Sequence, residues 1–252
     1  MAQSKVKAIL PSGSELPDSD DTPVDNEEEN LLPNLLLFVL NHIWKTHKNW
    51  YFGVDMGVYH ATGENPRVPV VPDAFLSVGV ARFRNDDTRR SYVVWEEEGI
   101  VPVLAIELVS WLPGGEYDRK LEIYRKLGIL YYVIYNPEYW RRDRHRPFEV
   151  YKLIDGEYQL QQGEPFWMPE AGLGLGRYQG DISGQYQEIL CWFEADGTRI
   201  LMMEERSEKF QGEAEKFQGE AEKFQGEAEK FQNKAERLAA RLRELGEDPT
   251  AI

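Results

Sequence analysis

The chain has 252 residues, 42% of them hydrophobic and 12% aromatic, enough for one domain with a sizeable core plus appendages. Its formal charge of −15 argues against coating nucleic acid by bulk charge, and apolar stretches such as Leu35 to Leu40 are far below the ~18 residues that a membrane span needs. The single cysteine, Cys191, excludes an intrachain disulfide, and no secretory hydrophobic segment opens the sequence, so a reducing, cytoplasmic setting is expected.

Residues 1–24 read as a disordered acidic segment, interrupted by Pro11, Pro17 and Pro23. A helix is predicted to start between Asp25 and Asn30, where acids suit the helix dipole, with Pro33 in a first turn, and to run to about Lys48. Strand-like segments follow at 50–60, 69–80, 91–99, 101–110 and 130–136. "FEVYKLI" (148–154) and "EYQLQ" (157–161) are split by Asp155-Gly156, a hairpin signal. "EYDRKLEIYRKLG" (116–128) reads as a helix with Lys120, Ile123, Tyr124 and Leu127 on one face and Gly128 as its stop. This order predicts an α/β or α+β domain over 25–203, with a mixed central sheet flanked by helices.

Residues 204–246 are a different object, followed by a short tail at 247–252. "EKFQGEA" recurs so that Phe210, Phe217, Phe224 and Phe231 stand seven apart, and Ala214, Ala221, Ala228 and Ala235 fall four residues after each. That 3-4 split predicts a long coiled-coil helix and a homo-oligomer through it, although Gly212, Gly219 and Gly226 each cost about 1 kcal/mol of helix propensity. A single solvated helix is the alternative.

The chemistry concentrates in the apolar strands. Glu107 interrupts "VLAIELV", and a buried carboxylate costs several kcal/mol unless it is paired. Alternation along 101–110 sets Val103, Ala105, Glu107 and Val109 on one face. Asp73 enters "AFLSVGV" in a similar apolar setting, and Lys120 returns on the following helix. Two acids and a lysine suit a divalent metal site, because Mg²⁺ takes oxygen ligands and is commonly held by one or two carboxylates with water and phosphate. A Glu107–Lys120 ion pair without metal is the competing reading.

The stretch from "PVVPDAFLSVGV" through "VPVLAIELVSWLPGGEYDRKLEIYRKLGILYYVIYNPE" resembles the Uma2 family, also called DUF820, of restriction-endonuclease-like proteins in the PD-(D/E)XK superfamily. The resemblance covers roughly 25–203, including "GVDMGVY", "VVWEEEG" and "PFWMPEAGLGLG". It implies a restriction-endonuclease-like fold and metal-dependent DNA hydrolysis. It carries the motif aspartate onto Asp73 and the motif glutamate onto Glu107, both as metal ligands, and the catalytic lysine onto Lys120, with Tyr124 on the same helix face. The third motif position is Val109 rather than lysine, so the lysine is expected from the helix. An acid from the first helix, Glu27 or Glu28, is a further candidate, and Asp55 another ligand or structural carboxylate.

Other features point elsewhere. His42 and His47 are off one helical face, while His60 and His145 stand alone, so no histidine metal set is expected. "GLGLG" (172–176) is read as a turn-rich loop and Cys191 as a packing residue. Basic clusters at Arg82–Arg90 and "RRDRHR" (141–146) are read as solvated loop surface that still allows a local phosphate contact. The expected function is an endonuclease that cuts DNA with Mg²⁺, or Mn²⁺ in its place. The alternatives are an inactive nuclease-fold module that binds nucleic acid or a partner, and a structural protein built around the tail.

Overall fold

The computed structural model describes residues 10–17, 27–84, 88–182 and 184–244. The chain divides into two units, Met1–Ile200 and Leu201–Ile252. The first carries a six-stranded mixed sheet in the order β1-β3-β5-β6-β7-β8: β1 Trp50–Val54, β3 Ala74–Val78, β5 Leu104–Leu108, β6 Tyr131–Tyr135, β7 Phe148–Ile154 and β8 Glu157–Leu160. Within this sheet only β5 and β6 pair in parallel, and α2 (Arg119–Leu127) makes the crossover between them. Both strands are buried along their whole length, which explains why "LAIEL" and "YYVIY" read as continuous apolar runs rather than alternating ones.

One face of the sheet, with Phe75, Ala105, Tyr132 and Ile134, packs with Tyr124 and Leu127 of α2 in a single core. On the other face the Phe52 ring of β1 meets Trp192 edge-on at 6.2 Å, and the Trp192 indole donates to the Leu36 carbonyl at 3.0 Å. Trp192 lies on β11 (Gln185–Phe193), and Leu36 on α1 (Glu27–Ile43), whose Leu32, Leu36 and Leu40 are buried at the four-residue spacing of one helical stripe. Tertiary packing keeps α1 helical past Pro33, which stands in its second turn rather than its first. The helix ends at Ile43, short of Lys48, because the chain must reverse to enter β1, and Trp44 then packs on Trp50 at 5.4 Å.

The expected strands are shorter than their apolar runs. Asp55, with φ of 46°, breaks 50–60 into β1 and β2 (Val58–Tyr59), and β2 pairs in parallel with β4 (Tyr92–Val93). The remainder of 91–99 coils into a 3₁₀ turn at Val94–Glu96. The hairpin at Asp155-Gly156 is present, with φ values of 51° and 85° that its tight turn requires.

Two expectations are corrected here. "GLGLG" is not a loop: it opens β10 (Leu173–Ile182), the middle strand of a three-stranded antiparallel sheet between β11 and β9 (Phe166–Met168). A Cβ on Gly176 would meet Pro165 at 2.9 Å, so glycine serves close approach of the backbone, not a turn. The Arg82–Arg90 cluster is not simply solvated surface. Arg89 is buried and grips Glu97 through Nε at 2.8 Å and Nη2 at 3.1 Å, while Arg84 bridges Glu96 and Glu97 at 3.0 and 2.7 Å. Cys191 is buried on β11, and among the described residues no helix is long and apolar enough to cross a membrane.

The second unit contains α4, Met203–Glu244, one helix of 42 residues. Taking phenylalanine as heptad position d puts Ala214, Ala221, Ala228 and Ala235 at a, and Gly212, Gly219 and Gly226 at f, on the outer side. The side chains of Phe210, Phe217, Phe224 and Phe231 are 61–72% exposed.

Candidate active site

Glu107 lies in β5 with no exposed surface. Antiparallel pairing sets Ala74 opposite Ile106. Carried on by one residue, the register puts Asp73 opposite Glu107, and opposed residues of such a pair point to the same face. The end of the ladder is closed by Asp73 itself, whose Oδ2 accepts the Leu108 N–H at 2.5 Å. An aspartate placed just before a strand thereby extends the pairing by one side-chain bond.

Lys120 and Tyr124 stand one turn apart on α2, on the face that meets the sheet. Asp118 caps this helix by accepting the Arg119 N–H, and Gly128 closes it in the left-handed conformation, so the helix is held at both ends. The Lys120 Nζ donates to Glu107 Oε2 at 2.7 Å and approaches the Val71 carbonyl at 3.5 Å. The Tyr124 hydroxyl donates to Glu107 Oε1. Both oxygens of the buried carboxylate are therefore engaged, one by a charge and one by a neutral donor.

Burial pushes the Glu107 carboxyl up, against the pull of Lys120 and Tyr124. Burial alone would lower Lys120, but attraction from Glu107, Asp73 and Glu116 outweighs it and carries the ammonium above its ordinary 10.5. Burial, reinforced by the Glu107 charge, holds the Tyr124 hydroxyl well above its ordinary range. Raised above 10.5, the Lys120 amine stays protonated at neutral pH, so it can donate or stabilise negative charge.

Glu116 carries no comparable mark in the sequence. It is buried at the entry to α2, and its two oxygens accept the Gly114 N–H at 2.8 and 3.0 Å. Its charge acts on both Glu107 and Lys120, and its backbone carbonyl receives the Tyr132 hydroxyl at 2.8 Å. The one available signal is an acid directly after the Pro113-Gly114-Gly115 turn, where free N–H groups await an acceptor.

The other candidates stand differently. Asp55 falls just beyond β1, exposed, and its N–H donates to the Asp73 carbonyl at 3.1 Å, so it neighbours the site through the backbone. Glu27 and Glu28 open α1, but their side chains lie outside the described residues. Val109, at the third motif position, is buried in the same core as Tyr124, leaving the cation to come from the helix. Among the described residues no three His, Cys, Asp or Glu side chains converge as a metal cluster, and His145 instead stacks on Tyr117 at 3.6 Å. Asp73 and Glu107 remain a two-carboxylate oxygen donor set, which fits a hard divalent cation whose other ligands are water and phosphate.

Residues 21–181 match the model of the Uma2 family, described as "putative restriction endonuclease". The chain belongs to the Uma2 family. The match takes in Asp73, Glu107, Lys120 and Tyr124 and leaves α4 outside. A solved structure, a "putative nuclease belonging to DUF820" from Anabaena variabilis ATCC 29413, covers 58% of this Uma2 chain and 74% of its own, at 14% identity and a TM-score of 0.41. No curated protein matches.

Proposed function

We propose that this Uma2 protein is an endonuclease that hydrolyses DNA phosphodiester bonds with Mg²⁺, or Mn²⁺ as a substitute, held by Asp73 and Glu107. The observation that carries the reading is a lysine ammonium 2.7 Å from a fully buried glutamate, with Asp73 beside it accepting the Leu108 N–H at 2.5 Å and its charge acting on the same lysine. A bound ion would neutralise the two carboxylates and supply an activated water at neutral pH. The chain's own groups do the rest. Lys120 donates toward the phosphate oxygen whose charge grows as water adds in line and the P–O ester bond breaks. Tyr124 fixes the second oxygen of Glu107 and thereby the carboxylate's orientation. The products are a phosphomonoester end and a hydroxyl end. The exposed d-position phenylalanines of α4 favour self-association through that helix.

One observation favours a second reading. Both Glu107 oxygens already have partners, as expected of an inactive module in which the Glu107–Lys120–Tyr124 cluster is only structural. Cleavage of supercoiled and linear DNA in Mg²⁺, Mn²⁺ or EDTA decides between them. The nuclease reading expects metal-dependent cutting that Glu107→Gln and Asp73→Asn abolish. Absence of cutting by the parent in every metal, or cutting that persists in both variants, would overturn it.

A further inference from the structure

Four residues after Glu107 the chain leaves the sheet at Trp111, at most about 14 Å of chain away. Trp111 and Leu112 are 71% and 67% exposed, an unusual outlay of apolar surface beside a polar site. The arginine-rich segment after β6 comes back to the same place. Arg142 donates through Nη1 to the Trp111 carbonyl at 2.7 Å and approaches the Ser110 carbonyl at 3.5 Å. The Trp111 ring meets Tyr139 edge-on at 5.9 Å, and the Arg142 guanidinium lies over Tyr139 at 4.5 Å. Arg141 covers the Trp140 ring at 4.7 Å. Arg141 and Arg144 are exposed, and among the described residues neither has an acidic side chain within ion-pair distance.

We propose that this face binds an unpaired stretch of DNA leading into the carboxylate site, so that the preferred substrate is single-stranded or carries a single-stranded branch. The inference rests on the reading of DNA as substrate and adds which form of DNA. Its physical basis is the pairing of two recognition elements. An exposed indole offers a face on which an unpaired base stacks, whereas a duplex keeps its base faces stacked on one another and offers the ring none. The arginines supply the phosphate contacts that a chain of net charge −15 otherwise discourages. The Arg142 bonds hold the tryptophan loop against the arginine segment, so base and backbone contacts have a fixed spacing.

The test uses the full chain with EDTA present, so that binding is read without cleavage. Fluorescence anisotropy with labelled oligonucleotides should show a single strand bound tighter than the same sequence as duplex. Trp111→Ala should weaken single-strand binding about tenfold while moving duplex binding little, and Trp111→Phe should restore part of the loss. The double variant Arg141→Ala/Arg144→Ala should flatten the dependence of log K on log salt by about 0.7 for each phosphate left without its arginine. Trp111 is mostly exposed, so thermal melts of the variants should match the parent. Equal single-strand affinity in Trp111→Ala and parent, or no binding of either DNA form, overturns the proposal. If the parent fails to cut with metal yet binds single strands through Trp111, the nuclease reading and the substrate preference fall and the single-strand-binding face alone stands. If the parent cuts and Trp111→Ala binds and cuts single strands as well as the parent, only this one falls.

Discussion

The proposed function gives Lys120 a catalytic role beside its ion pair with Glu107, and Lys120→Met pulls the two apart. Methionine keeps most of the volume and removes the charge. The expected loss in cleavage is about 10²- to 10⁴-fold, with metal binding retained because lysine is not a ligand. Removing one partner of a buried pair typically costs about 3–5 kcal/mol. We expect the lower end, because Glu107 keeps its bond from Tyr124. Burial already pushes the Glu107 carboxyl up, and losing the ammonium pushes it further, so the folded variant gains a proton more readily than its unfolded chain. The melting deficit of Lys120→Met should therefore shrink as pH falls toward the ordinary carboxylate value of 4.5. At the alkaline end the sign differs. The folded Lys120 value is raised above 10.5, so its contribution is complete below 10.5 and is lost as pH climbs through the folded value. Melts of parent and variant should converge there. Tyr124→Phe removes the donor to the other oxygen, leaves a buried acceptor unsatisfied and should cost about 1–3 kcal/mol.

At the scale of elements, α4 carries a direct test. Phe217→Glu with Phe224→Glu puts charges at two d positions and should convert an oligomer into a monomer, measured by light scattering, without changing the melting of the first unit. Gly212, Gly219 and Gly226 have nothing within 4 Å of where a Cβ would sit, so alanine at each should strengthen the helix by about 1 kcal/mol, seen as helicity retained to higher temperature. The elements also divide by how far their sequence announces them. The meeting of Glu107 with Lys120 and Tyr124 is legible from local cues: an acid inside an apolar run, and two side chains one turn apart. The β7–β8 hairpin was equally local. The sheet of β9, β10 and β11 escapes the sequence reading although β10 and β11 pair as locally, with Ile182 opposite Gln185. Its glycines read as turn residues, whereas Gly176 lets the backbone pass Pro165, which a Cβ would meet at 2.9 Å. Glu116 escaped because its burial depends on the N–H of Gly114 rather than on an apolar neighbourhood.

For the whole molecule, the division at Ile200 predicts independence of the two units. A chain ending after Met202 should keep the cooperative melting of the sheet domain, since the buried core assigned to the sheet is drawn from residues before that point. If α4 brings copies together, the same truncation should remove the oligomer and lower avidity for long DNA, while leaving the rate on a short oligonucleotide unchanged. Loss of cooperative melting would show that the two units share a core.

The near-identical repeats of α4 have one more consequence. At 1.5 Å per residue its 42 residues reach about 63 Å, and each heptad is a graduation of about 10.5 Å on that rod. Seven residues turn an α-helix through almost two full revolutions, so a chain that gains or loses one "EKFQGEA" keeps its phenylalanines pointing the same way. Length can then drift, through slippage in a repetitive coding tract, without disturbing which side of the rod carries the phenylalanines. A two-residue insertion has no such immunity, because it turns every later phenylalanine by about 200°, to the opposite side of the helix. The tail is a ruler whose marks can be added or erased one heptad at a time, while the sheet domain at its end stays as it is.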